Sequence, residues 1–152
     1  MKFRVSLLAL FFFFTSLLSG QDPYVDSLKQ VLKASKHDTT RCYVLSQLAE
    51  SANDEEWPVF NEQLRLLTEK NLANGPAKEL KDIYLYYYAS SLNNIAYLAE
   101  QQGDNKKALD YNLKSLKINQ EIDNKSGIAI SLNNIGAIYD NQGDITKALE
   151  YY

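Results

Sequence analysis

Asparagine is the residue whose spacing in this chain most clearly suggests binding chemistry. The sequence SLNNI occurs twice, at 91–95 and at 131–135, so Asn93 and Asn94 recur forty positions later as Asn133 and Asn134. An asparagine side chain offers both a hydrogen-bond donor and an acceptor, which suits it to contact an extended peptide backbone. Two interpretations are open: these amides contact a bound peptide, or they bond neighbouring helices and set the angle between repeats.

Residue types that could catalyse a reaction are scarce. His37 is the only histidine and Cys42 the only cysteine, so the usual zinc sites cannot be built from this chain. No nucleophile is near His37 in sequence, and glycine-rich phosphate loops are absent. The acidic pair Glu55 and Glu56 is expected to stabilise a helix N-terminus through the helix dipole. We therefore predict no enzymatic activity, no catalytic residue, no metal site and no cofactor.

Charge and cysteine content narrow the classes of partner. The formal net charge is -3, which argues against nucleic acid and against an anionic membrane surface, because both reward clustered Lys and Arg. A single cysteine cannot form an internal disulfide, so packing must hold the domain together. Cys42 lies among apolar residues at helical spacing and is expected to be buried.

The first twenty residues differ in composition from the rest of the chain. Lys2 and Arg4 precede an apolar run, Val5–Leu18, and small residues follow at Ser19 and Gly20. This order is typical of a secretory signal peptide, and the run is short for a membrane-spanning helix, which needs roughly 20 apolar residues. The sequence thus predicts a signal peptide at 1–20 and an exported protein, periplasmic or secreted. An uncleaved anchor is the alternative.

Helical spacing of apolar residues continues through the rest of the chain and predicts an all-α fold. The first helix, at 23–36, is expected to bury Tyr24, Leu28, Val31 and Leu32. Asp38 or Thr39 is expected to cap the second helix, whose buried stripe includes Tyr43. We assign residues 21–77 to N-terminal helices that include a degenerate helix pair, and 78–152 to a repeat region.

Two copies of one helix-turn-helix unit make up the repeat region. Between 91–111 and 131–151, twelve of the twenty-one aligned positions are identical. Small residues are placed where helices would cross closely, a glycine ends the first helix of each pair, and Asp104 and Asp144 can cap the second. The residues of this signature are Leu92, Ile95, Ala96, Gly103 and Ala108 in one copy, and Leu132, Ile135, Gly136, Tyr139, Gly143 and Ala148 in the other.

At these positions the sequence resembles the tetratricopeptide repeat (TPR) family. The family repeat is about 34 residues long, and the forty-residue spacing here resembles its extended-helix variety. Asn112 stands where the family usually has a bulky aromatic residue. The resemblance implies a TPR-type solenoid, a right-handed superhelix of about three helix pairs. Its repeats would span about 89–122 and 129–152, with the last pair incomplete.

The first helices of such units line a concave groove. Helical spacing places Ser90, Asn94, Tyr97 and Gln101 in one stripe opposite the buried face. The next stripe is Ile130, Asn134, Ala137 and Asn141. The resemblance implies that Asn94 and Asn134 contact a bound peptide, and the stripes lack the basic residues with which chaperone-binding repeats hold a carboxylate. The predicted groove residues are Asn93, Asn94, Tyr97, Gln101, Asn133, Asn134 and Asn141.

Among Tyr84, Tyr86, Tyr87 and Tyr88, some must be buried and at least one should point to the groove or a partner.

These features predict an exported scaffold that binds a protein or peptide segment. The alternative is the periplasmic sensory part of a membrane-bound signalling protein, a histidine kinase or similar, whose output domain lies beyond residue 152. The chain stops within a helix, and we hypothesise that it is a fragment. A membrane tether would then come only from missing C-terminal sequence, and the uncapped C-terminal end could support self-association.

Overall fold

The computed structural model describes residues 22–152, and the predicted signal peptide therefore lies outside the described residues. Within this range the chain forms seven α-helices and no strand. The all-α prediction is confirmed for this part of the chain. The helices are α1 (Pro23–Ala34), α2 (Asp38–Ser51), α3 (Trp57–Ala73), α4 (Lys78–Gln101), α5 (Asn105–Glu121), α6 (Lys125–Asn141) and α7 (Ile145–Tyr151).

The turns inside the two repeat copies have the same local geometry. Gly103 and Gly143 adopt φ values of 76° and 79°, a left-handed conformation that glycine takes without steric cost. The carboxylate of Asp104 then accepts the backbone N–H of Lys107 at 3.0 Å, and Asp144 repeats this bond further along the chain. Both aspartates cap the following helix as the sequence predicted.

The start of α2 differs from the prediction. Neither Asp38 nor Thr39 caps this helix, because His37 occupies the capping position without a side-chain bond and Asp38 is already the first helical residue. The Asp38 carboxylate instead accepts a hydrogen bond from Asn71 Nδ2 of α3 at 3.0 Å. The side chain that could have capped α2 thus joins α2 to α3.

Three residues predicted to be buried are largely exposed. Tyr43 of α2 is 53% exposed, and Tyr24 and Val31 of α1 are 49% and 44% exposed. In α1 the buried residues are Val25 and Leu28. The buried side of α1 therefore contains Val25 in place of Tyr24, while Leu28 is buried and Leu32 packs against the core as predicted.

The helices pack as three successive hairpins, α2–α3, α4–α5 and α6–α7, with α1 against α2. The first helices of the hairpins also contact one another, α2 with α4 and α4 with α6. Within the described residues the second helices, α3, α5 and α7, make no such contact with each other. The stack therefore curves with α2, α4 and α6 on its concave side, which is the arrangement of a TPR-type solenoid.

The core changes character along the stack. Around α2 it consists of apolar clusters that include Val44, Leu48, Leu45 and Leu64. Further along, the cluster between α4, α5 and α6 consists mainly of the small residues Ala99 and Ala108 with Ile138. Serine and asparagine side chains are also buried between these later helices.

The outer face of α7 carries exposed apolar side chains. Leu149 is 70% exposed and Ile145 is 54% exposed. The corresponding residue of the preceding unit, Leu109, is partly buried against the cluster that contains Ile138 of α6. Self-association through this face stays a prediction.

Candidate peptide-binding groove

The predicted groove residues lie on α4 and α6, the helices of the concave side. Tyr97 is 54% exposed, and Gln101, Asn133 and Asn141 are also exposed. Asn93, Asn94 and Asn134 are half-buried. The exposed groove residues are therefore the ones that a partner could contact without a change in the structure.

Two of the predicted asparagines are bonded to the preceding helix. Asn94 Nδ2 donates to Asn61 Oδ1 of α3 at 2.9 Å, and Asn61 Nδ2 donates to the Ser91 carbonyl at 3.1 Å. Asn134 Nδ2 makes the equivalent contact with Asn112 Oδ1 of α5 at 3.4 Å. Asn94 and Asn134 thus join neighbouring hairpins, which was the second interpretation of the repeated asparagines. Contact of these residues with a bound peptide stays a prediction.

The partners in these bridges, Asn61 and Asn112, were not among the predicted site residues. Both are almost fully buried, at 1% and 2% exposure, and a buried amide must be hydrogen-bonded to avoid a desolvation cost. Asn112 carried a signal in the sequence, because it stands where the family usually has an aromatic residue. Asn61 lies outside the repeated segments and carried none.

Polar contacts also join α4 directly to α6 across the concave side. The Ser131 hydroxyl donates to Asn93 Oδ1 at 3.4 Å, and Asn141 Nδ2 donates to Glu100 Oε1 at 3.2 Å. Ser131 is fully buried, whereas Asn141 and its partner are near the surface. These contacts fix the spacing of the two helices that line the groove.

An open pocket of about 270 Å³ lies where α2, α3 and α4 meet on the concave side. The Trp57 and Tyr97 rings are tilted by 47° with their centroids 6.2 Å apart. The pocket thus combines aromatic surface with polar groups, which is the usual composition of a specific binding site. Its lining consists of Ala49, Glu50, Ala52, Asp54, Trp57, Asn94 and Tyr97.

The tyrosine cluster of α4 divides between the core and the surface, as expected from its spacing. Tyr84 is buried, and Tyr86 is 48% exposed with its ring edge against Tyr87 at 5.1 Å between centroids. Tyr86 and Tyr87 help line a second open hollow of about 420 Å³ that extends to Ile122 and Asn124. This hollow lies nearer the start of α4 than the pocket at Tyr97.

The signature residues of the repeats serve packing. Leu92, Ala96, Ala108, Ile135, Gly136 and Ala148 are buried, and Ile95, Leu132 and Tyr139 are half-buried. A Cβ at Gly136 would come within 2.8 Å of the Tyr152 ring, so the missing side chain permits close contact with the end of the hairpin. Tyr139 stacks on Tyr151 with centroids 5.6 Å apart.

The residues considered for catalysis do not form a site. Burial raises the pKa of the Cys42 thiol to about 12, so the thiol stays protonated and unreactive at neutral pH. His37 is exposed at the start of α2. Among residues 22–152 no cluster of three or more histidine, cysteine or acidic side chains could hold a metal ion, and none of the helices has the length and apolar character to cross a membrane.

The fold and groove define an all-α solenoid of helical hairpins with a polar, aromatic concave face. Residues 87–152 match the family model described as tetratricopeptide repeat. No curated protein and no solved structure matches the chain. The match supports the tetratricopeptide assignment for the segment from the middle of α4 to the end of the chain. Such repeats are in general protein–protein interaction modules and are typically non-enzymatic scaffolds.

Proposed function

We propose that this protein is an exported scaffold that binds an extended peptide or protein segment along the concave face of α2, α4 and α6. The observation that carries the proposal is the open pocket at Trp57 and Tyr97, on the side of the stack where the first helices of the hairpins meet. Tyrosine and tryptophan bury much area with few rotatable bonds, so they gain affinity at small entropic cost.

Exposed amide side chains on α4 and α6 supply hydrogen-bonding capacity for a peptide backbone. Gln101 lies one turn beyond Tyr97 on α4, and Asn133 and Asn141 are exposed on α6. Each amide can donate and accept. A segment that follows the groove would therefore meet aromatic surface at α4 and amide groups on both helices.

The test is a selection of random dodecapeptides on the full chain, followed by affinity measurements with two variants. Tyr97→Ala with Gln101→Ala removes exposed groove side chains without breaking the Asn94–Asn61 bridge, and should weaken binding of selected peptides about tenfold or more. Leu113→Ala is the matched control, because Leu113 is 40% exposed on α5, outside the concave face. Equal loss in both variants, or failure to select any peptide, would contradict the proposal.

The export of the chain and its cellular setting are also part of the proposal. A signal peptide at 1–20 places the mature protein in a periplasmic or extracellular compartment, and cleavage there predicts a mature chain that begins near Gln21. Mass spectrometry of the protein recovered from an exporting host tests this directly. The alternative role, a sensory part of a membrane-bound signalling protein, would use the same groove.

A further inference from the structure

We infer that the pocket at Trp57 and Tyr97 is a subsite for a lysine or arginine side chain of the bound segment. This inference rests on the proposed function, because it concerns one position within the peptide that the groove would bind. It is carried by the charge, hydrogen bonding and aromatic surface of the pocket lining.

The charged groups of the pocket are all acidic. Its lining contains the carboxylates of Glu50 and Asp54 and no lysine or arginine. In the part of the chain that the structure describes, neither carboxylate is paired with a basic side chain. Their neighbour Glu56, in contrast, is paired with Lys29 at 2.6 Å. The pocket therefore carries two negative charges that a cation from a partner could neutralise.

The amide of Asn94 is oriented in a way that favours the same ligand. Its Nδ2 group is used by the bond to Asn61 Oδ1, and among residues 22–152 no donor is bonded to its Oδ1 atom. One of its two Nδ2 hydrogens is thus engaged inside the protein, while the Oδ1 oxygen remains an acceptor for a ligand in the pocket. An ammonium or guanidinium group carries several N–H donors and no acceptor, which matches two carboxylates and an amide oxygen.

The aromatic rings favour a cation with an apolar stem. Trp57 and Tyr97 stand 6.2 Å apart between centroids, and Ala49 and Ala52 complete the lining without adding polar groups. A cation over an aromatic face is attracted by the ring quadrupole, while the methylene groups of lysine or arginine pack on apolar surface. A carboxylate ligand would instead meet like charge.

The experiment uses peptides selected on the full chain as described above. Each selected lysine or arginine is replaced by norleucine, which keeps an apolar stem and removes the charge. Binding to the native chain should weaken about five- to tenfold, and raising the salt concentration from 50 to 500 mM should weaken binding of the lysine peptide but not of the norleucine peptide.

A variant without the two pocket carboxylates tests whether they cause the preference for lysine. In Glu50→Gln with Asp54→Asn, the replacement of lysine by norleucine should change affinity less than twofold. The matched control is Asp110→Asn with Glu150→Gln, which removes two exposed charges from α5 and α7 and should retain the full preference for lysine. Circular dichroism melting curves check that both variants are folded.

The outcomes separate this inference from the proposed function. Selected peptides that depend on Tyr97 but bind equally well with norleucine would overturn the lysine subsite and leave the groove in place. An equal preference for lysine in the charge-neutralised variant would also overturn it. If no peptide is selected at all, both proposals fail.

Discussion

The core of the α2–α3 hairpin consists mainly of leucine, valine and cysteine side chains, with Ser46, Asn61 and Thr68 as its buried polar residues, whereas serine and asparagine side chains meet at the interface between α5 and α6. In the first region Leu45, Leu64 and Cys42 form a cluster with Tyr84 of α4. In the second, the Ser131 hydroxyl of α6 donates to Ser115 Oγ of α5 at 3.4 Å, and Asn124 Nδ2 donates to Asn119 Oδ1 at 2.8 Å. The first region lies mainly within one hairpin, and the second joins two hairpins of the same solenoid.

The difference shows which part of a repeat depends on specific residues. Apolar packing is not directional and tolerates substitutions of similar volume, so a hairpin can keep its place in the stack while its sequence diverges. Buried hydrogen bonds require particular donors and acceptors at particular positions. This agrees with the extent of the tetratricopeptide match, which covers 87–152 and leaves α2 and α3 outside.

The largest expected effect is in the apolar region. Leu64→Ala removes a fully buried side chain of α3 and should lower the free energy of unfolding by about 2–5 kcal/mol, because a cavity remains. Leu66→Ala, on the same helix but 52% exposed, is the control and should change it by less than about 0.5 kcal/mol. Urea unfolding monitored by circular dichroism measures both. Similar values for the two variants would contradict the assigned core.

Gly127→Ala tests the polar interface between α5 and α6, because the close packing there predicts a loss of stability where a gain would normally be expected. Alanine in place of a helical glycine normally stabilises by roughly 0.5–1 kcal/mol, but a Cβ at Gly127 would overlap the Asn119 side chain. The variant should therefore be less stable by about 1–3 kcal/mol.

Two comparisons sharpen the Gly127 result. Ser126→Ala, an exposed change in the same turn of α6, should be close to neutral. The penalty of Gly127→Ala should also shrink in an Asn119→Ala background, since the Asn119 side chain is then absent and only the Asn124 amide still overlaps the added Cβ. A stabilising Gly127→Ala would show that the α5–α6 turn is not closely packed around the asparagines.

The buried thiol of Cys42 should make the free energy of unfolding depend on pH in the alkaline range. Burial raises its pKa from 9.0 to about 12. Above pH 9 the unfolded chain therefore loses this proton while the folded chain keeps it, so stability that is present below pH 9 is lost as the pH rises. The slope is about 1.4 kcal/mol per pH unit from this group.

Cys42→Ala isolates that contribution. Burial also raises the pKa values of Tyr84, Tyr87 and Tyr88, but these tyrosines are present in both proteins, so the difference between the two slopes reports the thiol. The free energy of unfolding of the variant should fall less steeply between pH 9 and pH 11. Parallel slopes would mean that the thiol ionises in the folded protein.

The smallest effect is expected at the turn between α5 and α6. Asp123 has φ 53°, a conformation that glycine adopts more easily, so Asp123→Gly should stabilise by about 0.5 kcal/mol. The ion pair with Lys125 that is lost is exposed on both sides and contributes little. Gly103→Ala is the reverse control and should destabilise by about 1 kcal/mol. Thermal melting measures both, and a destabilising Asp123→Gly would contradict the strain argument.

The fold of the second half could be predicted closely from the sequence. Gly103 and Gly143 mark where α4 and α6 end, and Asp104 and Asp144 cap the helices that come next. These residues could be recognised in the sequence because they act locally, through backbone conformation and one short hydrogen bond. The start of α2 was predicted wrongly because a contact between helices took precedence: Asp38 bonds Asn71, which is 33 residues away in sequence.

The candidate site was predictable only in part. Tyr97 and Gln101 could be placed on the concave side from helical spacing, since that depends on one helix alone. The pairing of Tyr97 with Trp57, and of Asn94 with Asn61, joins side chains from two different helices. Their meeting depends on how α3 packs against α4, which no local pattern in the sequence specifies.

The most direct test of the binding groove uses the fluorescence of Trp57, the only tryptophan of the chain, which lines the pocket. A selected peptide should produce a saturable change in tryptophan emission, with the same dissociation constant as the anisotropy of a dye on the peptide. In the Tyr97→Ala, Gln101→Ala variant the midpoint should move to about tenfold higher peptide concentration. Peptide binding by anisotropy with no change in Trp57 emission would contradict the account, because the peptide would then occupy another face of the solenoid.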